Sequence, residues 1–205
     1  MIATEDIKKP APKHTRKVPA NLIWEVLDGQ PLYRRGYKAV MNKQKTIEEI
    51  MGTSSYQSLI TTHIILRVFE KLDLKKYDIL TSEPGVHLNH KDNISNDIAI
   101  YNRLSSDQIS KKYTDFPARI VIEIDIDIDP ESMRDLEYLT KKTQKMLDFG
   151  VGKVIWILSN IRKVMVATPG NPWQTMDWSN DVEILDGISF NVQKFLTERG
   201  INDLD

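Results

Sequence analysis

The apolar positions follow two different periods along the chain. Leu59, Ile60, Ile64, Val68 and Phe69 recur at helical steps, which predicts a helix over residues 54–72. Ser54 and Gln57 have the spacing of a capping box at its start. A shorter helix is expected over residues 46–51, stopped by Gly52. In residues 119–129 the period falls to two. Ile120, Ile122, Ile124, Ile126 and Ile128 alternate with Val121, Glu123, Asp125, Asp127 and Asp129. A strand of that period puts the isoleucines on one face and the acids on the other. Residues 130–149 then read as a helix, with Pro130 in its first turn and Gly150 after its end. On a helical wheel Leu136, Leu139, Thr143, Met146 and Leu147 share one face, which should lie on the sheet.

Shorter runs predict strands over residues 77–81, 85–88, 96–101, 153–158 and 163–168, and near 182–185. The body begins near Leu22, NHKDN and SNIR are the turns, and residues 105–114 form a charged loop. A last helix is expected over residues 190–198. The strand–helix–strand order around residue 123 makes that strand central and covered. The fold class is therefore α/β, with a mixed central sheet flanked by helices.

Composition narrows this picture modestly. The chain has 205 residues, 40% hydrophobic and 28% charged, which suits one globular domain. Residues 1–19 combine prolines with a run of Lys and Arg and read as a flexible basic arm ahead of a single domain over residues 20–205. A net charge of −1 gives no global attraction to nucleic acid or anionic membrane, so any polyanion must be met by local patches. Having no cysteine, the chain can form neither disulfides nor thiolate metal sites. No apolar run is long enough for a leader or a membrane span, so a cytoplasmic location is expected.

The acids carry the candidate chemistry. Asp127 and Asp129, near the strand end, fit a solvated face. Glu123 and Asp125 lie further in, where neighbouring carboxylates repel unless a cation or donors intervene. Asp97 opens a second strand, before Ile98 and Ile100. One acid from each of two adjacent strands plus a backbone carbonyl makes a hard oxygen site suited to Mg2+ or Mn2+. On the helix, Lys141 and Lys145 fall opposite the apolar stripe. Lys142 lies at its edge, where its methylenes can run along apolar surface and deliver the ammonium beside the sheet. Trp156 reads as core, and Trp24, Trp173 and Trp178 as caps on apolar edges. A calcium site over Asp125–Asp129 is disfavoured, because same-face acids on a strand stand about 7 Å apart.

The phrases SNDIAIY, RIVIEID, DLEYLTKKTQKMLDF and GVGKVIWIL, in this order, resemble the PD-(D/E)xK restriction-endonuclease-like superfamily, and more narrowly its Uma-two family. The resemblance covers most of residues 22–196. It implies a restriction-endonuclease-like core and metal-dependent hydrolysis of DNA phosphodiester bonds, with Asp97, Glu123, Asp125 and Lys142 as the catalytic set. Asp97, Glu123 and the Ile124 carbonyl would hold the metal, and Lys142 would orient the attacking water. Asp125 stands where the motif has lysine, and would serve as a further ligand or as an orienter of Lys142. Asn96 replaces the proline usual before the aspartate, a change expected to touch the turn and not the chemistry. Tyr56 replaces a histidine frequent near the start of the long helix. The superfamily often acts as a homodimer. The alternative is a binding or regulatory module on the same fold whose catalysis is lost. The missing motif lysine and the near-neutral charge favour it.

Overall fold

The structure, a computed structural model, describes residues 17–126 and 131–201. Most of the basic arm, the acids Asp127 and Asp129, Ile128 and the first-turn Pro130 lie outside the described residues.

The chain opens with a hairpin, β1 (Ile23–Leu27) and β2 (Gln30–Tyr33). Its Asp28–Gly29 turn has positive φ at both residues (53° and 73°), the backbone that a two-residue hairpin requires. Two short helices follow, α1 (Tyr37–Met41) and α2 (Glu48–Met51), then the long α3 (Ser55–Lys71). Next come β3 (Tyr77–Thr81), β4 (Gly85–Asn89), β5 (Asp92–Ser95), β6 (Ile98–Asn102) and β7 (Ile120–Ile124). The helix α4 (Asp135–Phe149) crosses to β8 (Lys153–Leu158), which turns into β9 (Lys163–Ala167) and β10 (Gln174–Asp177). A hairpin of β11 (Val182–Leu185) and β12 (Ile188–Phe190) leads into α5 (Val192–Glu198).

Six strands form the central sheet in the order β10-β9-β8-β7-β6-β3. Only β7 and β8 pair in parallel in it, the signature of the α4 crossover, so the sheet is mixed as expected. One face packs Ile98, Ile100, Ile120, Ile122 and Ile124 against Ile60, Ile64 and Val68 of α3, the β11–β12 hairpin and α5. The other face packs Ala99, Tyr101, Val121, Val154 and Trp156 against α4 and against a second sheet, ordered β2-β1-β5-β4. Both faces of β7 are thus covered, and every one of its residues is buried. Among the described residues no helix is long and apolar enough to cross a membrane.

Several elements depart from the sequence expectation. The isoleucine strand stops at Ile124, because Asp125 adopts φ 61°, a left-handed conformation that ends a ladder. The alternation then changes sides: Ile126 packs with the α4 face and not with Ile120, Ile122 and Ile124. Helix α4 starts at Asp135, five residues late, and Leu136 is 76% exposed, since the buried face is set by Tyr138, Leu139, Lys142, Thr143, Met146 and Leu147. Phe69 likewise stands exposed on α3. Its end is as expected: Gly150 takes φ 112° and closes α4 through N–H bonds to Met146 and Leu147. Strands β10 and β12 are short and largely polar or turn-bounded, and they gave no periodic signal.

Candidate active site

Glu123 enters the site because β7 alternates. With Ile120, Ile122 and Ile124 facing α3, Val121 and Glu123 face α4. Antiparallel pairing of Ile98 with Ile122 sets Asp97, one residue before β6, beside Glu123. Here the backbone ladder has run out, and Asp97 takes over with its side chain. Its Oδ2 accepts the Ile124 N–H at 2.6 Å. This bond uses one of about four lone-pair positions on the carboxylate.

Lys142 comes down from the middle of α4. It is the one lysine of its helix that is fully buried, at 1% exposure. Its ammonium lies 2.9 Å from Glu25 Oε1, 2.7 Å from the Ser95 carbonyl, 3.1 Å from Glu123 Oε1 and 3.2 Å from the Tyr138 hydroxyl. The Tyr138 and Trp156 rings lie 5.5 and 5.6 Å away, close enough for their π faces to help hold the cation. Trp156 is itself anchored by its N–H to Thr143 Oγ1 at 2.8 Å. Lys145, expected opposite the stripe, is instead half-buried on Asp28 and Asp92. Lys141 pairs with Glu137 and Asp28 nearer the surface.

Glu25, in β1 of the second sheet, is the acid that sequence reasoning missed. Its carboxylate accepts from the Ser95 N–H at 3.0 Å, the Ser95 hydroxyl at 3.4 Å, Lys142 at 2.9 Å and the Tyr138 hydroxyl at 2.7 Å. The signal was available: IWEVL, like RIVIEID, sets one acid in an apolar strand. Asn96 also belongs to the site, contrary to expectation. With its amide oriented by its hydrogen-bond partners, the nitrogen donates to Glu123 Oε1 at 2.9 Å and to the Ser95 carbonyl at 3.2 Å.

The electrostatics follow from burial. Desolvation pushes Glu123 well above the ordinary carboxylate value; Asp97 and Glu25 push the same way, and Lys142 opposes them. Burial works against the Lys142 ammonium, but Glu123, Glu25 and Tyr138 outweigh it and hold its pKa well above the usual lysine value. Burial and Glu25 likewise raise the Tyr138 phenol, which stays protonated and donates to Glu25.

Two of the expected participants are engaged elsewhere. The Asp125 carboxylate accepts the Ser159 N–H and hydroxyl, both at 2.7 Å, and so caps the turn after β8. Tyr56 lies on the same side and feels its charge. Asp125 is not among the groups that Lys142 contacts. The Ile124 carbonyl accepts from Gln57 Nε2 at 2.7 Å, and Ser54 caps the Gln57 N–H at 3.1 Å. The capping box is therefore half made, its glutamine side chain turned to β7. A carbonyl has a second lone pair, so this bond leaves a coordination position. Among the described residues no group of three His, Asp or Glu side chains is arranged around one ion. Asp97 and Glu123 are two hard oxygen donors on neighbouring strands, one carboxylate short of such a group.

A groove of about 740 Å³, lined by Arg103, Arg119, Lys153 and Asp186 among others, opens at the opposite end of β7 and β8 and contains none of these groups.

No protein-family model matches the sequence, and no curated protein matches it significantly. Among solved structures, the chain is similar to a candidate nuclease belonging to DUF820 from Anabaena variabilis ATCC 29413. The TM-score is 0.54 at 14% identity, over 78% of this chain and 80% of that one. A likeness at that identity shows the shared fold.

Proposed function

We propose that this chain is a metal-dependent endonuclease hydrolysing DNA phosphodiester bonds. The observation that carries the reading is the meeting of Asp97, just ahead of β6, with Glu123 of β7 and Lys142 of α4 at the carboxyl end of β7. The likeness to a nuclease fold supports it.

In this reading Asp97, Glu123 and the Ile124 carbonyl hold Mg2+ or Mn2+. The ion, when bound, neutralises charge on the phosphate and makes a water more acidic. Glu123 keeps its carboxylate fixed between Lys142 and Asn96. Lys142, buried behind Glu123, would act on the charge developing in the transition state from that distance, through the carboxylate it holds. Its position is held by Glu25 and the Ser95 carbonyl. Tyr138 and Trp156 keep water from the ammonium.

The test is nicking of supercoiled DNA with Mg2+ or Mn2+, beside Asp97→Ala. The parent is expected to nick, and the variant to lose activity by on the order of 10²-fold or more, as for loss of a group acting on transition-state charge. Equal nicking by both, or none by either on duplex and single-stranded substrates, removes the reading.

A second reading, a nuclease-fold binding module without catalysis, is favoured by the complete burial of Lys142 and the commitment of Asp125 to Ser159. Calorimetry with Mn2+ separates the two. Binding that Glu123→Ala abolishes counts against a degenerate site.

A further inference from the structure

The charges of the cluster do not cancel. With all three carboxyls ionised, as a bound cation requires of Asp97 and Glu123, Asp97, Glu123 and Glu25 bring three negative charges against the one positive charge of Lys142. Glu25 and Lys142 form the inner pair, with side chains 0% and 2% exposed at 2.9 Å. Glu25 is fixed from all sides by Ser95, Tyr138 and Lys142. It stands on β1 of the second sheet, while Asp97 and Glu123 stand on the central sheet. Lys142 bridges the two, touching Glu25 and Glu123 with the same ammonium.

We propose that Glu25 is a positioning residue that neutralises Lys142, so that the two negative charges of Asp97 and Glu123 remain for a divalent cation. The inference rests on the metal-site reading above. Without Glu25 the Lys142 charge falls on Glu123, and the pair that faces the cation holds a net charge of −1. With Glu25 the lysine stays beside the site as a fixed cation without displacing the metal. Removing one member of a buried pair leaves the other charge seeking a partner, and Glu123 is the nearest one.

The test is Mn2+ binding, followed by calorimetry and by electron paramagnetic resonance of the free ion, in the parent, Glu25→Gln and the Glu25→Gln/Lys142→Met double variant. Glutamine keeps the shape and can still accept from Ser95, so thermal melts are run alongside to verify folding. Glu25→Gln is expected to weaken Mn2+ binding by roughly tenfold or more, the scale of one unit charge a few ångströms away at partial screening. The double variant restores the charge balance and is expected to bind within about threefold of the parent, although inactive on DNA. A merely structural Glu25 would leave the double variant as weak as the single one, and that result overturns the proposal. So does a folded Glu25→Gln that binds like the parent. Should Glu25→Gln fail to fold, the double variant decides: parental affinity upholds the charge role, and loss of affinity removes it. A parent that binds no Mn2+ sinks the metal-site reading itself, an outcome distinct from all of these.

Discussion

Asp92 sits at the start of β5 and accepts from the Asp28 N–H at 2.6 Å, from Asn89 at 2.7 Å and from Lys145 at 2.9 Å. Burial alone would raise its pKa, but the hydrogen bonds from Lys145, Asp28 and Asn89 outweigh it and hold the group below its ordinary 3.8. A carboxyl whose folded pKa is depressed stabilises the fold above its unfolded value, and that contribution is lost as pH falls through the folded value. Asp92→Asn is therefore expected to cost about 1–3 kcal/mol at neutral pH. Urea titrations should show the gap to the parent closing below about pH 4. A gap that stays constant down to about pH 2.5 would assign the loss to shape and not to charge. Lys142→Ala is harsher, since it strands Glu25 and Glu123 together in the interior, and should cost on the order of 3–5 kcal/mol in the same titration. At this scale the positions of Glu123 and Lys142 were legible from period and wheel, and that of Asp97 only as the residue opening a strand in the order of the family resemblance. Glu25 was not, although its strand has the same pattern. Nothing local in IWEVL tells which lysine, 117 positions on, will meet the acid.

Strand β7 is only as long as its backbone allows. The repeat of isoleucine and acid continues in the sequence, but φ 61° at Asp125 and its grip on Ser159 end the strand one residue after Glu123. Periodicity could not see this, because aspartate fits both an exposed strand position and a left-handed one. Asp125→Lys, which would recreate the motif lysine, is thus expected not to raise nicking activity. It should lower stability by about 1–3 kcal/mol through loss of the cap and strain at positive φ. A gain in nicking would show that a lysine there can reach the site. Gln57→Ala acts on the other side of the same strand end. It leaves the buried Ile124 carbonyl without its donor and is expected to cost about 1–3 kcal/mol in melts. The late start of α4 has a related cause. Arg134, its cap residue, is extended, and the buried face is chosen by Tyr138 and Lys142 reaching Glu25 and not by the apolar count that favoured Leu136.

Across the whole molecule, two sheets share α4, and the candidate site lies where they meet. The mixed central sheet was legible because its strands are apolar and β7–α4–β8 is one crossover unit. The second sheet was legible only in β4: β2 and β5 mix apolar with polar positions, and only the Asp28–Gly29 dipeptide announces the first hairpin. Amide hydrogen exchange should follow the same division. The amides of β7 and β8, covered on both faces, are expected to exchange last, and those of β2 and β10 at the sheet edges first. Uniform protection across both sheets would mean that they open as one unit.

The bond between Glu25 and Lys142 also bears on the order in which the chain can fold as it is made. The first hairpin and the β4–β5 pair leave the ribosome well before α4. Until α4 arrives, Glu25 has no cation and stays cheapest in water, so the inner face of the second sheet cannot close dry around it. The element that covers this face is therefore also the one that brings the lysine. A chain interrupted before residue 142 would hold the two strand-borne acids, Glu25 and Glu123, with no cation from α4 to bury them against.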